Sequence, residues 1–452
     1  MDENRAFPAG DATERNRSVL SRILKGPTGQ TREVFCVEKS SGVFSLREGK
    51  PQDLRRVVSE FNVALRMLKN GGMGFSWTGA SGEIPNLPAE AEKFLFPAEP
   101  WGWQIPALAS AEAESVEIYD EKIFSHSDDE IWEDLLKVEK KAKRKDARIK
   151  KSLSVSFSAS SSRIFTANSN GRSNASERTA FSHAVALIGI DGTEVQLGGS
   201  YRTRCFFDDL NVGEIIAEAV DDTVSQFGGV SVLPRKMAVL LPPAAACDFL
   251  SVISPYFCAD DYLEGKVPPF WKEGGQVASS LVTIIDDGTI PRLPGSFPFD
   301  CEGVPVKRHN VVEKGVFKNF LTDFRTSKLL GRETTGNAAR SAQTLPSVGF
   351  FNLFIENGKT GREDLIKSGE VFQIDEVIGT HLVNSETAQF SFGARGRLFR
   401  NGRKIKTLRG VTVSGNLIDF YRNIVGVGND LRFYSSVGSP SLLVKDVQIS
   451  GK

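Results

Sequence analysis

Residues 279–340 read SSLVTIIDDGTIPRLPGSFPFDCEGVPVKRHNVVEKGVFKNFLTDFRTSKLLGRETTGNAAR, and this stretch decides the fold. Its short apolar runs alternate with Gly, Pro and Asp, the residues that favour tight turns. The alternation continues on both sides, with hairpin signals at Asn357-Gly358 and Asn401-Gly402. Residues 244–262 form the one convincing helical segment of this region. Residues 231–452 are therefore predicted to form a β-rich, barrel- or sandwich-like C-terminal domain.

A smaller unit is predicted at the start of the chain. Apolar residues recur at spacings of three and four through residues 51–70, which predicts an amphipathic helix that ends at Gly71-Gly72. Residues 33–49 predict a short hairpin before this helix, and residues 72–79 predict a strand after it. A Pro- and Trp-containing stretch, FPAEPWGWQIPAL, then breaks all periodicity. Residues 1–105 are therefore expected to form a mixed α/β unit.

A middle unit is predicted over residues 106–230. A helix begins near Asp128, and its acidic start and basic end match the helix dipole. Asp191-Gly192 marks a hairpin turn, and residues 211–227 predict a second helix that ends at Gly228-Gly229. The predicted class is α+β, with mixed α/β units at the N-terminal end followed by the β-rich domain.

Composition excludes several classes of function. Lys and Arg number 56, as do Asp and Glu, so the formal charge is zero and a nucleic-acid partner is not expected. The five cysteines show no CxxC spacing, which argues against a disulfide framework and a cysteine zinc cage. The first residues lack a signal peptide's apolar core, and the most apolar stretch, residues 237–253, contains Pro242-Pro243. A cytoplasmic chain without a membrane partner is expected.

A search for catalytic motifs gives few candidates. The four histidines, His126, His183, His309 and His381, are never paired at i, i+4 spacing, so a zinc site on a helix is unsupported. There is no GxSxG, no P-loop and no GxGxxG between a strand and a helix. Cys247 and Cys258, three turns apart on the predicted helix, are interpreted as small buried apolar residues rather than reactive thiols.

The carboxylates Asp286, Asp287, Asp300 and Glu302 flank the run PRLPGSFPF. Acids clustered in this way could bind a cation or act as acid and base. The simpler interpretation is a strand end closed by an Asx-type turn. His309 and His381, in predicted loops, are more simply hydrogen-bonded surface groups than ligands.

Several ordered runs resemble the TldD/PmbA (TldD/TldE) family of peptidase-related proteins. They are residues 279–340 and the later runs GTHLVNSETAQFSFGARGRLFRNGR, LRGVTVSGNL and GVGNDLRFYSSVGSPSLLVKDVQISG. The resemblance extends backward through NGGMGFSWTG, DARIKKS and TANSNGRS. It implies the fold of that family and the activity of a heterodimeric zinc metalloprotease. In the TldD subunit, an HExxxH helix, a later cysteine and the motif's glutamate supply the chemistry.

This chain departs from the TldD pattern. The corresponding segment, LLPPAAACDFLSVISPYFCADDYLEGK, has no histidine, and the last cysteine is Cys301. The chain is therefore similar to the PmbA/TldE subunit, which lacks the metal. The resemblance implies no cofactor in this chain, a TldD-like partner that carries HExxxH and zinc, and a substrate that is a small or unfolded, sometimes modified, peptide.

Two functions remain open on the sequence. In the first, the chain is a non-catalytic subunit that builds half of a cleavage chamber. The resemblance marks residues 334–340, TTGNAAR, as a family motif, and the candidate peptide- or partner-contacting residues are Thr335, Gly336, Asn337, Arg340 and His381. In the alternative, the chain is a stand-alone hydrolase that uses an acquired cation or water with Asp286, Asp287, Glu302 and His381.

Overall fold

The computed structural model describes residues 12–97, 104–106, 115–171 and 173–451. The α-helices are α1 Ala12–Lys25, α2 Leu87–Lys93, α3 Asp128–Lys145, α4 Val212–Val224, α5 Pro243–Ile253, α6 Ala259–Leu263, α7 Phe324–Leu329, α8 Arg362–Ile366 and α9 Leu417–Arg422. Short 3-10 helices are Ser81–Asn86, Glu121–Phe124, Phe207–Asp209, Ser254–Phe257 and Thr380–Leu382.

The strands of the first half are β1 Gln30–Arg47, β2 Lys50–Lys69, β3 Gly72–Thr78, β4 Leu95–Phe96, β5 Ile149–Asn168, β6 Ser173–Asp191 and β7 Glu194–Arg204. Those of the second half are β8 Arg235–Leu241, β9 Ile284–Asp287, β10 Arg308–Glu313, β11 Val316–Phe317, β12 Ala338–Ala339, β13 Ser347–Val348, β14 Leu353–Ile355, β15 Glu370–Ile378, β16 Gln389–Arg400, β17 Arg403–Asn416, β18 Ile424–Val427, β19 Arg432–Phe433, β20 Val437–Ser439 and β21 Leu442–Gly451. Helices and strands together confirm the predicted α+β class.

An antiparallel sheet in the order β4-β3-β2-β1-β5-β6-β7 forms the N-terminal half. The helix predicted over residues 51–70 is wrong, because this segment is strand β2. Phe61, Val63, Leu65 and Met67 alternate there and are all buried, which is the period of a strand. Asn70 and Gly71 both have positive φ and turn β2 into β3, so the expected helix stop is a hairpin turn.

The hairpin predicted within residues 33–49 is also wrong, because β1 continues to Arg47 and pairs with β2 through a turn at Glu48-Gly49. Strand β3 is confirmed. Because β1 pairs with β5 on its other side, one sheet runs through the boundary expected near residue 105. The division into units 1–105, 106–230 and 231–452 stays a prediction.

Helices α3 and α4 pack on one face of this sheet and confirm the two helices predicted there. Ser127 and Glu130 form a capping box at the start of α3, which fixes where the helix begins. The Asp191-Gly192 turn joins β6 to β7 as predicted. Local signals were sufficient for these elements.

A closed five-stranded barrel lies at the centre of the C-terminal half, in the order β17-β16-β15-β8-β21, with β21 pairing back onto β17. The Asn401-Gly402 turn joins β16 to β17, which confirms that hairpin. The hairpin predicted at Asn357-Gly358 is wrong. Gly358 instead lets the backbone approach Val427, whose carbonyl oxygen would lie 2.1 Å from a Cβ at position 358.

The helix predicted over residues 244–262 is shorter than expected. Helix α5 ends at Ile253, and the chain continues through the 3-10 helix Ser254–Phe257 into α6. Pro255 contributes to the break, because it has no N–H to donate to the carbonyl oxygen of Ser251, the bond that would continue the α-helix. In the part of the chain that the structure describes, no helix is both long and apolar enough to cross a membrane.

A buried ion-pair network joins the N-terminal sheet to the C-terminal half. Arg66 of β2 donates to Glu33 of β1 over 2.9 Å and to Glu302, in the loop after β9, over 2.8 Å. Arg340 donates to the second oxygen of Glu33 over 2.7 Å and lies over the ring of Phe35. These four charged side chains are at most 6% exposed. Two guanidinium groups thus neutralise two carboxylates where the N-terminal sheet meets the C-terminal half.

Arg66→Met tests this network. The substitution leaves the carboxylate of Glu302 buried without its cation, so the free energy of unfolding should fall by about 3–5 kcal/mol in urea denaturation. Arg400→Met is the matched control, because Arg400 is 63% exposed in its pair with Glu370 and should contribute less than about 1 kcal/mol. Equal losses in the two variants would show that the buried network does not stabilise the contact.

Candidate functional site

Helix α5 follows the barrel strand β8 and presents an apolar face to the core. Phe249 is fully buried and stacks on Phe420 with ring centroids 4.5 Å apart. It also makes edge contacts with Phe390 and Phe392 of β16. Asp248 is the one acidic residue of the helix and lies on its exposed side. Apart from the thiol of Cys247, the inward face of α5 therefore offers only carbon atoms.

The two cysteines expected on one helix lie on separate elements, because the helix breaks after Ile253. Cys247 is within α5, and Cys258 precedes α6. Both side chains are buried free thiols, and desolvation raises the pKa of each, that of Cys247 to about 12. Their interpretation as buried residues is confirmed, whereas their common helix face is wrong.

Asp286 and Asp287 end strand β9 and are both buried. The two oxygens of Asp286 accept hydrogen bonds from the side-chain amide of Asn337 over 2.7 Å and from the backbone N–H of Phe351 over 2.8 Å. Burial nevertheless raises the pKa of Asp286 to about 7. Asp287 accepts from the backbone N–H and the hydroxyl of Thr289, which is the Asx-type turn that the sequence suggested.

Asp300 and Glu302 are likewise buried, and both accept hydrogen bonds from donors within the chain. Asp300 accepts backbone N–H bonds from Glu302, Val304 and Ala338 at 2.8–3.0 Å. Glu302 accepts from Arg66 and from the backbone N–H of Phe324. Desolvation raises the pKa of both carboxyls. The acids that flank PRLPGSFPF therefore shape the loops around them and point into the protein.

The TTGNAAR segment lies inside this cluster. The hydroxyl of Thr335 accepts from the backbone N–H of Thr322 over 2.7 Å, and Asn337 donates to Asp286 and to the carbonyl oxygen of Gly349. Gly336 has φ +76, and a Cβ there would lie 2.9 Å from the carbonyl oxygen of Pro305. Arg340 pairs with Glu33. The four candidates of this segment thus make contacts within the chain.

His381 lies elsewhere, on the exposed 3-10 helix Thr380–Leu382 after β15. It is therefore not brought together with the buried Asp286, Asp287 and Glu302. His309 is partly buried, and its Nε2 lies 2.8 Å from the carbonyl oxygen of Thr335. Across residues 12–97, 104–106, 115–171 and 173–451, no three His, Cys, Asp or Glu side chains are grouped so that they could hold a metal ion.

Sequence reasoning missed Glu33 and Arg66, which complete the cluster. The two residues face each other directly across β1 and β2. An acid directly opposite a base in a hairpin predicts a cross-strand ion pair, but this pattern is visible in the sequence only if residues 51–70 are interpreted as a strand. The predicted helix concealed it.

Comparison with known protein families matches most of the chain. The profile of the PmbA/TldA metallopeptidase central domain matches residues 121–227, and that of the PmbA/TldA metallopeptidase C-terminal domain matches residues 234–451. The second range contains α5, the carboxylate cluster and the barrel.

Individual relatives agree with these matches. The archaeal protein MJ0231 of Methanocaldococcus jannaschii is 28% identical over 94% of this chain and 98% of its own length. Metalloprotease PmbA of Escherichia coli O157:H7 is 24% identical over 72% of this chain and 71% of its own length.

Solved structures share the fold along the whole chain. The crystal structure of a putative modulator of a DNA gyrase from Thermotoga maritima has a TM-score of 0.86 and 26% identity, and covers 97% of this chain and 100% of that one. TldE from Thermococcus kodakarensis has a TM-score of 0.85 at 21% identity, over 97% and 100% of the two chains, and this likeness shows the fold. This chain belongs to the PmbA/TldD metallopeptidase family.

Proposed function

We propose that this chain is a non-catalytic, TldE/PmbA-like subunit that pairs with a TldD-like subunit to process small or unfolded peptides. The observation that carries the proposal is helix α5. It stands where the family's catalytic subunit is expected to have its HExxxH helix, and it directs Ala245, Ala246 and Phe249 into the core. The proposal places the pair in the cytoplasm, and the five free cysteines fit a reducing compartment.

The residues of this segment do not fit the zinc that the family implies. Catalytic zinc takes three protein ligands from His, Cys, Asp or Glu and keeps one position open for water. The buried side chains of α5 are apolar apart from Cys247, whose thiol has a raised pKa and faces backbone carbonyl oxygens of Arg432 and Val437. Thiolate formation, which metal binding needs, is disfavoured there. We therefore assign the zinc to the partner.

The described residues do not favour the alternative of a stand-alone hydrolase. Asp286, Asp287 and Glu302 are buried and already accept hydrogen bonds from the chain itself. A general base must reach a proton of the substrate or of a bound water. His381 is accessible, but it lies apart from these three acids.

Metal analysis and reconstitution test the proposed assignment. The purified chain should hold far less than one zinc per molecule, should cleave no peptide alone and should form a one-to-one complex with a TldD-like subunit that cleaves peptides. The matched control is a partner whose HExxxH glutamate is changed to Gln, which should assemble without activity. One zinc per chain retained through dialysis, or chelator-sensitive cleavage by this chain alone, would contradict the assignment.

Asn337→Ala tests whether the TTGNAAR segment contacts the peptide. The internal contacts of Asn337 favour a structural role, so the free energy of unfolding should fall by about 1–3 kcal/mol, because Asp286 loses a buried donor. Cleavage per folded molecule of the reconstituted pair should stay unchanged. Asn319→Ala is the control, since Asn319 is exposed.

Both thermal stability and turnover must be measured for these two variants. A tenfold loss of cleavage by Asn337→Ala with unchanged stability would instead establish the peptide-contacting role, since tenfold corresponds to about 1.4 kcal/mol.

A further inference from the structure

A cavity of about 460 Å³ lies between the N-terminal sheet and the helices that cover it, within the central part of the chain. Its size is in the range of small-molecule sites, which are largely apolar with a few placed polar groups. Eight apolar side chains line it: Ile131, Leu135, Val138, Phe157, Phe207, Leu210, Val212 and Ile216. The carboxylate cluster, the barrel and α5 contribute no residue to this lining, and the proposed peptidase role makes no use of it.

A buried imidazole lies on the sheet side of this cavity. His183 of β6 lines it and is only 6% exposed, and its Nδ1 has no hydrogen-bond partner. Desolvation, only partly offset by a backbone contact with Ala184, lowers the pKa of His183 to about 4, so the ring is neutral near pH 7. A neutral imidazole carries one donor and one acceptor nitrogen. Leaving such a group buried and unpaired is costly, so a ligand that supplies the missing hydrogen bond would be favoured.

Aromatic rings also line the cavity. The ring of His126 lies 4.6 Å from that of Phe207, and Phe207 makes an edge contact with Phe157 at 6.0 Å. Planar groups pack well against such surfaces in offset or edge arrangements. A flat aromatic body therefore matches these walls better than a branched aliphatic one.

The charged residues of the lining leave one ammonium group available. Lys137 of α3 is paired with Asp134 over 2.9 Å, and Asp208 is paired with Lys122. Lys141, one turn after Lys137, is exposed and has no ion pair within the described part of the chain. It belongs to the basic end of α3, where the surrounding charge favours an anion.

We propose that this cavity binds an aromatic carboxylate that carries a hydrogen-bonding group on the far end of its ring. The ring packs between the apolar walls, the ring substituent pairs with the imidazole of His183, and the carboxylate lies at the ammonium group of Lys141.

Three small compounds separate these contributions. The probe is 3-(4-hydroxyphenyl)propionate, and isothermal titration calorimetry at pH 7.5 measures its affinity for the full chain. We expect saturable one-to-one binding. 3-Phenylpropionate, which lacks the hydroxyl, and 4-ethylphenol, which lacks the carboxylate, should each bind at least about fivefold more weakly, the change that one net hydrogen bond supplies.

Variants assign each contribution to its residue. His183→Phe should remove the preference for the hydroxyl, and Lys141→Gln should remove the preference for the carboxylate. Lys140→Gln is the matched control, because Lys140 is also exposed on α3 but does not line the cavity. Should His183→Phe fold poorly, Val212→Trp provides a second test, since Val212 lines the cavity from a half-buried position and a larger ring there should block all three compounds.

Absence of saturable binding at millimolar probe overturns the proposal. Equal affinities for the three compounds, or preferences that persist in the His183 and Lys141 variants, overturn it as well. These results are independent of zinc, of the partner and of peptide cleavage, so failure here leaves the proposed function untouched.

Discussion

The ion pairs of Arg66 are the interaction on which the arrangement of the two halves depends. Burying a guanidinium and two carboxylates is expensive unless every charge is paired and hydrogen-bonded. Burial alone would lower the pKa of Arg66, but Glu33 and Glu302 hold it above its ordinary value. The loop that carries Glu302 must therefore stay against the N-terminal sheet, and Arg340 must stay beside Glu33. The ion pairs of Arg66 and Arg340 thus hold the sheet, the loop after β9 and the end of the TTGNAAR segment together.

This constraint explains why a run dense in carboxylates is not an accessible catalytic site. Asp286 and Asp300 accept hydrogen bonds from Asn337 and Ala338 of the TTGNAAR segment, and Glu302 accepts one from Phe324 of α7. The resulting contacts hold irregular loops that have little regular secondary structure of their own. Acids that are close together in the sequence can hold loops in place through internal hydrogen bonds, or they can form a catalytic pair. Only their burial and their hydrogen-bond partners distinguish the two roles.

The elements that could be predicted from the sequence are those whose signals lie within a few adjacent residues. The start of α3 near Asp128 and the turns at Asp191-Gly192 and Asn401-Gly402 each depend on a few adjacent residues, and the structure confirms them. The helix prediction for residues 51–70 was wrong because the apolar positions of this segment fit a helical period as well as a strand period. The buried network could not be predicted, since Arg66 and Glu302 are 236 positions apart and only the tertiary fold brings them together. The family resemblance implied the overall fold, which local patterns could not, but it did not imply this network.

Helix α5 shows how the family fold can persist without metal ligands in this helix. A helix that directs imidazole and carboxylate groups into a core needs a bound ion to compensate their buried polarity. In this chain the same position packs Phe249 against Phe420, and full burial of such a side chain contributes about 1.5–3 kcal/mol. Packing of this face therefore contributes stability that requires no bound ion. Replacing Phe249 by histidine would add an unpaired polar group and remove its aromatic contacts, so the apolar face of α5 is self-consistent as a packing surface.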